Sequence, residues 1–118
     1  MTDLMTPTGC IVVLTTVSTA DAAHRLAQTL VEERLAACVN ILAEMRSVYR
    51  WKGRVEQEVE QQLVIKTSAA RLDALRARLV DLHPYELPEV LVLPVVAGSE
   101  RYLQWVREET EQKSEGRS

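Results

Sequence analysis

The stretch Val48–Lys66, VYRWKGRVEQEVEQQLVIK, decides the fold. From Arg54 on, Val55, Gln57, Val59, Gln61, Leu63 and Ile65 alternate with Arg54, Glu56, Glu58, Glu60, Gln62, Val64 and Lys66. A period of two sustained over about thirteen residues is the signature of a long strand. On the other side of Trp51-Lys52-Gly53-Arg54, a turn with Gly in it, the segment Ala36–Trp51 is extended in character. Cys38–Leu42 is apolar there, and Val48, Tyr49 and Trp51 are strand formers. The two arms predict a long β-hairpin in the middle of the chain.

Working outward, Gly9–Val17 (GCIVVLTTV) is a continuous β-branched run, the pattern of a strand covered on both faces. Ser18 and Thr19 are cap-type residues, and Asp21 follows in the first turn of an amphipathic helix. That helix runs to about Leu35, with Arg25, Gln28, Glu32 and Glu33 outward. Beyond the hairpin, Ser68 is a candidate cap. Leu72, Leu75, Leu79 and Leu82 share one face of a second helix, which Pro84 stops. After the stiff connection His83–Pro88, Glu89–Ala97 (EVLVLPVVA) reads as another strand covered on both faces, with Pro94 hinting at an edge or bulge. A last helix, Glu100–Glu108, is expected to turn Tyr102, Leu103 and Val106 inward.

The order β-α-β-β-α-β plus a terminal helix is α+β and ferredoxin-like: a βαββαβ sandwich with a long hairpin between its second and third strands and an extra C-terminal helix. Right-handed crossovers place the first and last strands in the centre of the sheet or beside it. One domain is expected over residues 9–108, with a disordered N-terminus (1–8) and a disordered tail (109–118). Helices of ~15 residues span roughly 22 Å, whereas a 13-residue arm reaches about 43 Å. Something must cover the overhang, and a second copy of the chain is the simplest cover for exposed apolar strands.

Composition narrows the function. With 118 residues and a net charge of −3, the chain is sized for one core and shows no clustered basic footprint for nucleic acid. Its apolar runs, such as Cys10–Leu14, are strand-sized rather than membrane-spanning. Met1–Thr8 has neither a basic nor an apolar stretch of the signal-peptide kind, so the cytoplasm is the expected compartment. The two cysteines form no CxxC pair, and GxGxxG, GxxxxGK[ST], GxSxG and HExxH are all missing.

Several residues could carry chemistry. Glu56, Glu58, Glu60 and Lys66 lie on one strand face. They form a solvated face, line a cleft between subunits, or make a hard-cation site. His83 is a C-terminal helix cap favoured by the macrodipole, a transition-metal ligand or a proton carrier. His24, on the polar side of the first helix, reads as solvated. Cys38 is a small buried hydrophobe or a thiolate for Cu(I) or Zn²⁺, and Cys10 is a weaker candidate for the same. Tyr49, Trp51 and Tyr85, in a chain without Phe, are interface anchors or a stacking platform for a ligand. No set of nucleophile, base and orienter is evident, so an enzyme is not expected.

These residues also carry a resemblance. LAACVN (Leu35–Asn40), S-x-Y-x-W-x-G (Ser47–Gly53), E-x-E-x-E (Glu56–Glu60), KT (Lys66–Thr67), HPYELPE (His83–Glu89), LP (Leu93–Pro94) and YLQW (Tyr102–Trp105) resemble the CutA divalent-cation tolerance family. Their order and spacing cover about residues 10–107. The resemblance implies a ferredoxin-like protomer in a cytoplasmic homotrimer whose hairpins wrap neighbouring subunits, with no enzymatic activity. It implies weak binding of copper or another divalent cation, with His83 and Cys38 as candidate ligands. Tyr49, Trp51, Glu58, Glu60, Lys66, Tyr85 and Glu89, with His83, would gather near the subunit boundaries. The enterobacterial relative's copper ligands are a Cys late in the first strand and two successive His before Pro-Tyr; here those positions are Thr15, Leu82 and His83. The trimer also looks like that of PII signalling proteins. The alternative reading is therefore a small-molecule sensor whose ligand sits against Lys66, Tyr85 and Trp51.

Overall fold

The computed structural model describes residues 6–112. Its elements are β1 (Cys10–Val17), α1 (Ala20–Glu32), β2 (Cys38–Ile41), β3 (Met45–Trp51), β4 (Arg54–Ser68), α2 (Leu72–Leu82), β5 (Leu91–Pro94) and α3 (Glu100–Glu109). The strand order is β2-β4-β1-β5, all pairs antiparallel, with β3 running along the outer part of β4. This is the α+β ferredoxin-like arrangement, with β1 inside and the last strand at an edge beside it.

Alternation in the strands sorts the sheet into two faces. Ile11, Val13 and Val17 of β1 and Leu63 and Ile65 of β4 turn to one side, under Leu26 and Leu30 of α1 and Leu75 and Leu79 of α2. That layer is the main core. Helix α3 packs on the opposite face, where Leu103 and Val106 close over Cys10 in a separate small cluster. Tyr102, expected inward, is instead exposed, because the seam of α3 runs through Leu103 and Val106.

The hairpin turn is two residues long, with Trp51 paired to Arg54. Both linking residues have positive φ, +51° at Lys52 and +80° at Gly53, as a type I′ turn requires. β4, at 15 residues, covers about 50 Å. The molecule is accordingly drawn out to 48 Å along its longest axis and 25 Å along its shortest.

The first arm of the hairpin is not continuous as the sequence predicts. Ile41 pairs with Leu63 but Met45 pairs with Glu60, so three residues of the arm (Leu42–Glu44) oppose two of β4. This is a bulge. It is held by Leu42 N–H donating to the Gln62 carbonyl at 2.9 Å and by the Gln61 amide donating to the Leu42 carbonyl at 3.0 Å. A one-residue slip exchanges the two faces of a strand. Val39 and Ile41 of β2 therefore join the main core, while Met45, Ser47 and Tyr49 lie opposite Glu60, Glu58 and Glu56 on the other face.

The helix ends also differ in part. Thr19 caps α1, its hydroxyl accepting from the Ala22 amide at 3.1 Å. The helix stops at Glu32 rather than near Leu35, and Arg34 follows at φ +60°. Ser68 makes no capping bond: a 3₁₀ turn (Ala69–Arg71) precedes α2, and the Ser68 hydroxyl lies 3.0 Å from that of buried Thr110. Thr8 donates to the Val95 carbonyl at 2.6 Å and accepts Arg107 at its own carbonyl, so the chain at residues 8 and 110 is tied to the sheet. Residues 1–5 and 113–118 of the expected disordered ends lie outside the described residues.

The largest departure concerns β5. It is Leu91–Pro94, shorter than the apolar run Glu89–Ala97, and all four of its residues are exposed. The sequence reads a strand covered on both faces, and a single chain does not cover it.

Candidate functional site

His83 ends α2. It is the C-cap residue of that helix: its backbone is extended and its N–H donates to the Leu79 carbonyl at 2.8 Å, while its ring is engaged outside the helix, by Thr16 and Tyr85. The residue is buried. Nδ1 accepts the Tyr85 amide at 3.1 Å, which assigns the proton to Nε2; that nitrogen then donates to the Thr16 carbonyl at 2.8 Å. β5 pairs only with Ile11–Leu14, so Thr16 lies past the end of that ladder, and the imidazole occupies the place a longer β5 would have used. Burial lowers the His83 pKa below the usual imidazole value, outweighing the Thr16 hydrogen bond and the charge of Glu60.

Tyr85 stands edge-on to His83, ring centres 4.8 Å apart, and its hydroxyl donates to Glu60 at 2.8 Å. Burial, then the Glu60 carboxylate, raises the phenol's pKa well above its usual range, so it stays a donor. Glu60 is itself buried. The Gln62 amide donates to Glu89 at 3.4 Å. Burial and the neighbouring Glu60 charge raise the Glu89 pKa. One connected cluster results: Thr16, His83, Tyr85, Glu60, Gln62 and Glu89. It pins the connection 83–89 across the end of β1 and the middle of β4.

The other expected site residues are spread out. Glu58 and Tyr49 continue the same face up the hairpin, where burial and the charges of Glu58, Glu56 and Glu60 raise the Tyr49 pKa. Trp51 is at the tip, with the Lys52 ammonium 5.5 Å from its ring centre. Lys66 is at the other end of the sheet, its ammonium 6.0 Å from the Tyr102 ring centre. Cys38 is half-buried and pairs with Lys66 across β2 and β4. Thr15 turns into the helix-covered layer, fully buried, with its hydroxyl unpartnered. His24 is exposed on α1. Lys66, Tyr85 and Trp51 therefore form no single pocket within one chain.

Sequence reasoning misses Thr16 and Gln62. Thr16 acts through its carbonyl, which no side-chain pattern reveals. The His-Pro-Tyr spacing does carry a signal, since it lets the Tyr85 amide turn back to Nδ1.

The donor set does not make a closed metal site in one chain. Both imidazole nitrogens of His83 are engaged, and Cys38 lies on the far side of β4 from the His83 cluster. Among the described residues no group of three His, Cys, Asp or Glu side chains converges to hold a cation. Among them too, no helix is long and apolar enough to cross a membrane.

Fold and cluster together define a class: a ferredoxin-like α+β domain with an overhanging hairpin, and a carboxylate–phenol–imidazole cluster where the second helix returns to the sheet. The family model of the CutA1 divalent ion tolerance protein matches residues 11–109, and the chain belongs to that family. The divalent-cation tolerance protein CutA of Thermus thermophilus is 46% identical over 99 residues, which are 84% of this chain and 96% of that one. The chloroplastic protein CutA of Arabidopsis thaliana is 43% identical over 85% of this chain, which spans only 55% of its length. The crystal structure of CutA from Xylella fastidiosa superposes with a TM-score of 0.85 at 40% identity, covering 87% of this chain and 99% of that chain. None of these names carries a reaction.

Proposed function

We propose that this protein is a non-enzymatic, cytoplasmic, homotrimeric divalent-cation tolerance protein that takes up copper or another divalent cation weakly, with His83 as the imidazole donor. The observation behind the assembly is β5: a strand of Leu, Val, Leu and Pro, hydrogen-bonded on one edge only and exposed throughout. Such an edge invites pairing or cover. Val48, Val55 and Val59 on the hairpin are exposed as well. A cytoplasmic setting suits two free thiols, Cys10 and Cys38, since reducing compartments keep them so.

Weak binding follows from the chemistry of His83. To offer a nitrogen the ring must give up either the Thr16 carbonyl or the Tyr85 amide, leaving a buried group unpaired. Further donors must come from Glu60, from Glu89 or from a neighbouring copy. Calorimetric titration of Cu²⁺ into the wild type and His83→Ala tests this. A shallow isotherm lost in the variant supports the role, and superimposable isotherms remove His83 from it.

A further inference from the structure

A cavity of about 620 Å³ opens at the end of the sheet where β1 begins, β4 ends and α3 finishes. That size suits a small molecule. The cavity lies at the opposite end of β1 from the Thr16–His83 contact, about 20 Å away at ~3.3 Å per residue. Ser68, Arg71, Arg107, Thr110 and Glu111 stand among its lining residues.

The three arginines at this corner are used differently. Arg34 and Arg107 each reach a carboxylate, Glu109 at 3.7 Å and Glu100 at 2.9 Å. Arg107 also donates to the Thr8 carbonyl at 2.7 Å. Arg71 donates only through Nε, to the Arg34 carbonyl at 3.3 Å. Among the described residues no carboxylate pairs with Arg71, although Glu111 shares the wall with it. The Nε bond steadies a half-buried guanidinium and leaves its two terminal nitrogens as donors. Beside it are two buried hydroxyls, Ser68 at 8% and Thr110 at 1% exposure, 3.0 Å apart. When Thr110 donates to Ser68, the Ser68 proton is left for an acceptor in the cavity.

We propose that this cavity binds a small oxyanion, the phosphate or carboxylate group of a metabolite, on the terminal nitrogens of Arg71. A guanidinium fork matches two oxygens of such a group, and ionised partners make the stronger hydrogen bonds. Arg107 adds a second positive charge to the wall, against the single negative charge of Glu111, in a chain whose net charge is −3. The site is separate from His83 and needs no metal.

Inorganic phosphate and succinate, titrated separately into the full chain at an ionic strength held constant with NaCl, test it. The thermal midpoint is expected to rise and saturate with at least one of them. The anion that saturates at the lower concentration identifies the group the cavity prefers. Arg71→Gln is expected to weaken that response at least ten-fold. Arg71→Lys, which keeps the charge without the fork, is expected to bind several-fold more weakly than the wild type. Arg25→Gln, at an exposed arginine paired with Asp21, should respond like the wild type. Far-UV circular dichroism checks that each variant is folded. Should Arg71→Gln not fold, Arg71→Lys decides, and wild-type affinity in that variant overturns the site. A midpoint that neither anion moves, or an equal rise in wild type and Arg71→Gln, overturns it as well.

Discussion

β1 and β5 are neighbours in one sheet, and they live in different environments. β1 lies between β4 and β5; Ile11, Val13 and Val17 are buried under α1 and α2, and Cys10 under α3. β5 shares four paired positions with β1, yet it has no strand on its outer edge and no buried residue. Both are rich in branched apolar residues, CIVVLTTV in β1 and LVLP in β5. The difference teaches that an apolar strand records how completely it is covered in the working molecule, not which chain supplies the cover. β4 repeats the lesson along its own length: Leu63, Ile65 and Thr67 are buried, while Val55 and Val59 on the overhang are 64% and 45% exposed.

The comparison breaks most directly at β5. Leu91→Glu with Leu93→Glu places two charges on the exposed strand, where neither side chain supports the main core. The expected outcome is loss of the assembled form in sedimentation, with the protomer's circular dichroism kept. A variant that assembles like the wild type would show that the apolar run of β5 serves no neighbour.

Ile65→Ala probes the opposite side, since Ile65 is fully buried between the sheet and the helices. It is expected to cost about 2–5 kcal/mol in urea denaturation at fixed protein concentration. A cost near zero would mean that the layer under α1 and α2 is not the stabilising core.

The smallest effect is at the junction, where His83 takes over from β5 beside Thr16. Its folded-state pKa is lowered, so the unfolded chain binds the extra proton more readily. The stability that neutral His83 contributes is complete above its unfolded pKa of about 6.5 and falls as pH drops through that value. Glu89 works in the other direction: its folded-state pKa is raised, so its contribution is present at low pH and lost as pH rises through that value. His83→Gln should flatten the fall in denaturation midpoint between about pH 7 and 5. An unchanged slope would assign that fall to other groups.

Much of the fold is legible in local pattern. The alternation of Arg54–Lys66, the Lys52-Gly53 turn and the Thr19 cap reappear at their places, and Leu75 and Leu79 form the buried face of α2 with Leu72 partly buried beside them, whereas Leu82 is exposed. The bulge at Leu42–Glu44 does not announce itself, because it is a mismatch of count between two strands and neither alone contains it. Ser68 looks like a cap, but Thr110, 42 residues away, claims its hydroxyl. Of the candidate site, the residue types are legible and their grouping is not. Glu60, His83, Tyr85 and Glu89 converge, while Trp51, Lys66 and Cys38 lie elsewhere along the sheet.

The sequence by itself determined the elements, their order, the overhang of the hairpin and the family to which the chain belongs. The elements follow from spacing within a short window, where the backbone period fixes which side chains share a face; the family follows from motifs whose order runs through nearly the whole chain. Only the tertiary structure decided which face each arm presents, that His83 spends both ring nitrogens on the backbone, and that β5 stays uncovered in one chain. Those outcomes depend on partners far apart along the chain: the Thr16 carbonyl that meets His83 is 67 residues away. Contacts of that kind are set by packing the whole sheet, and no local pattern encodes them.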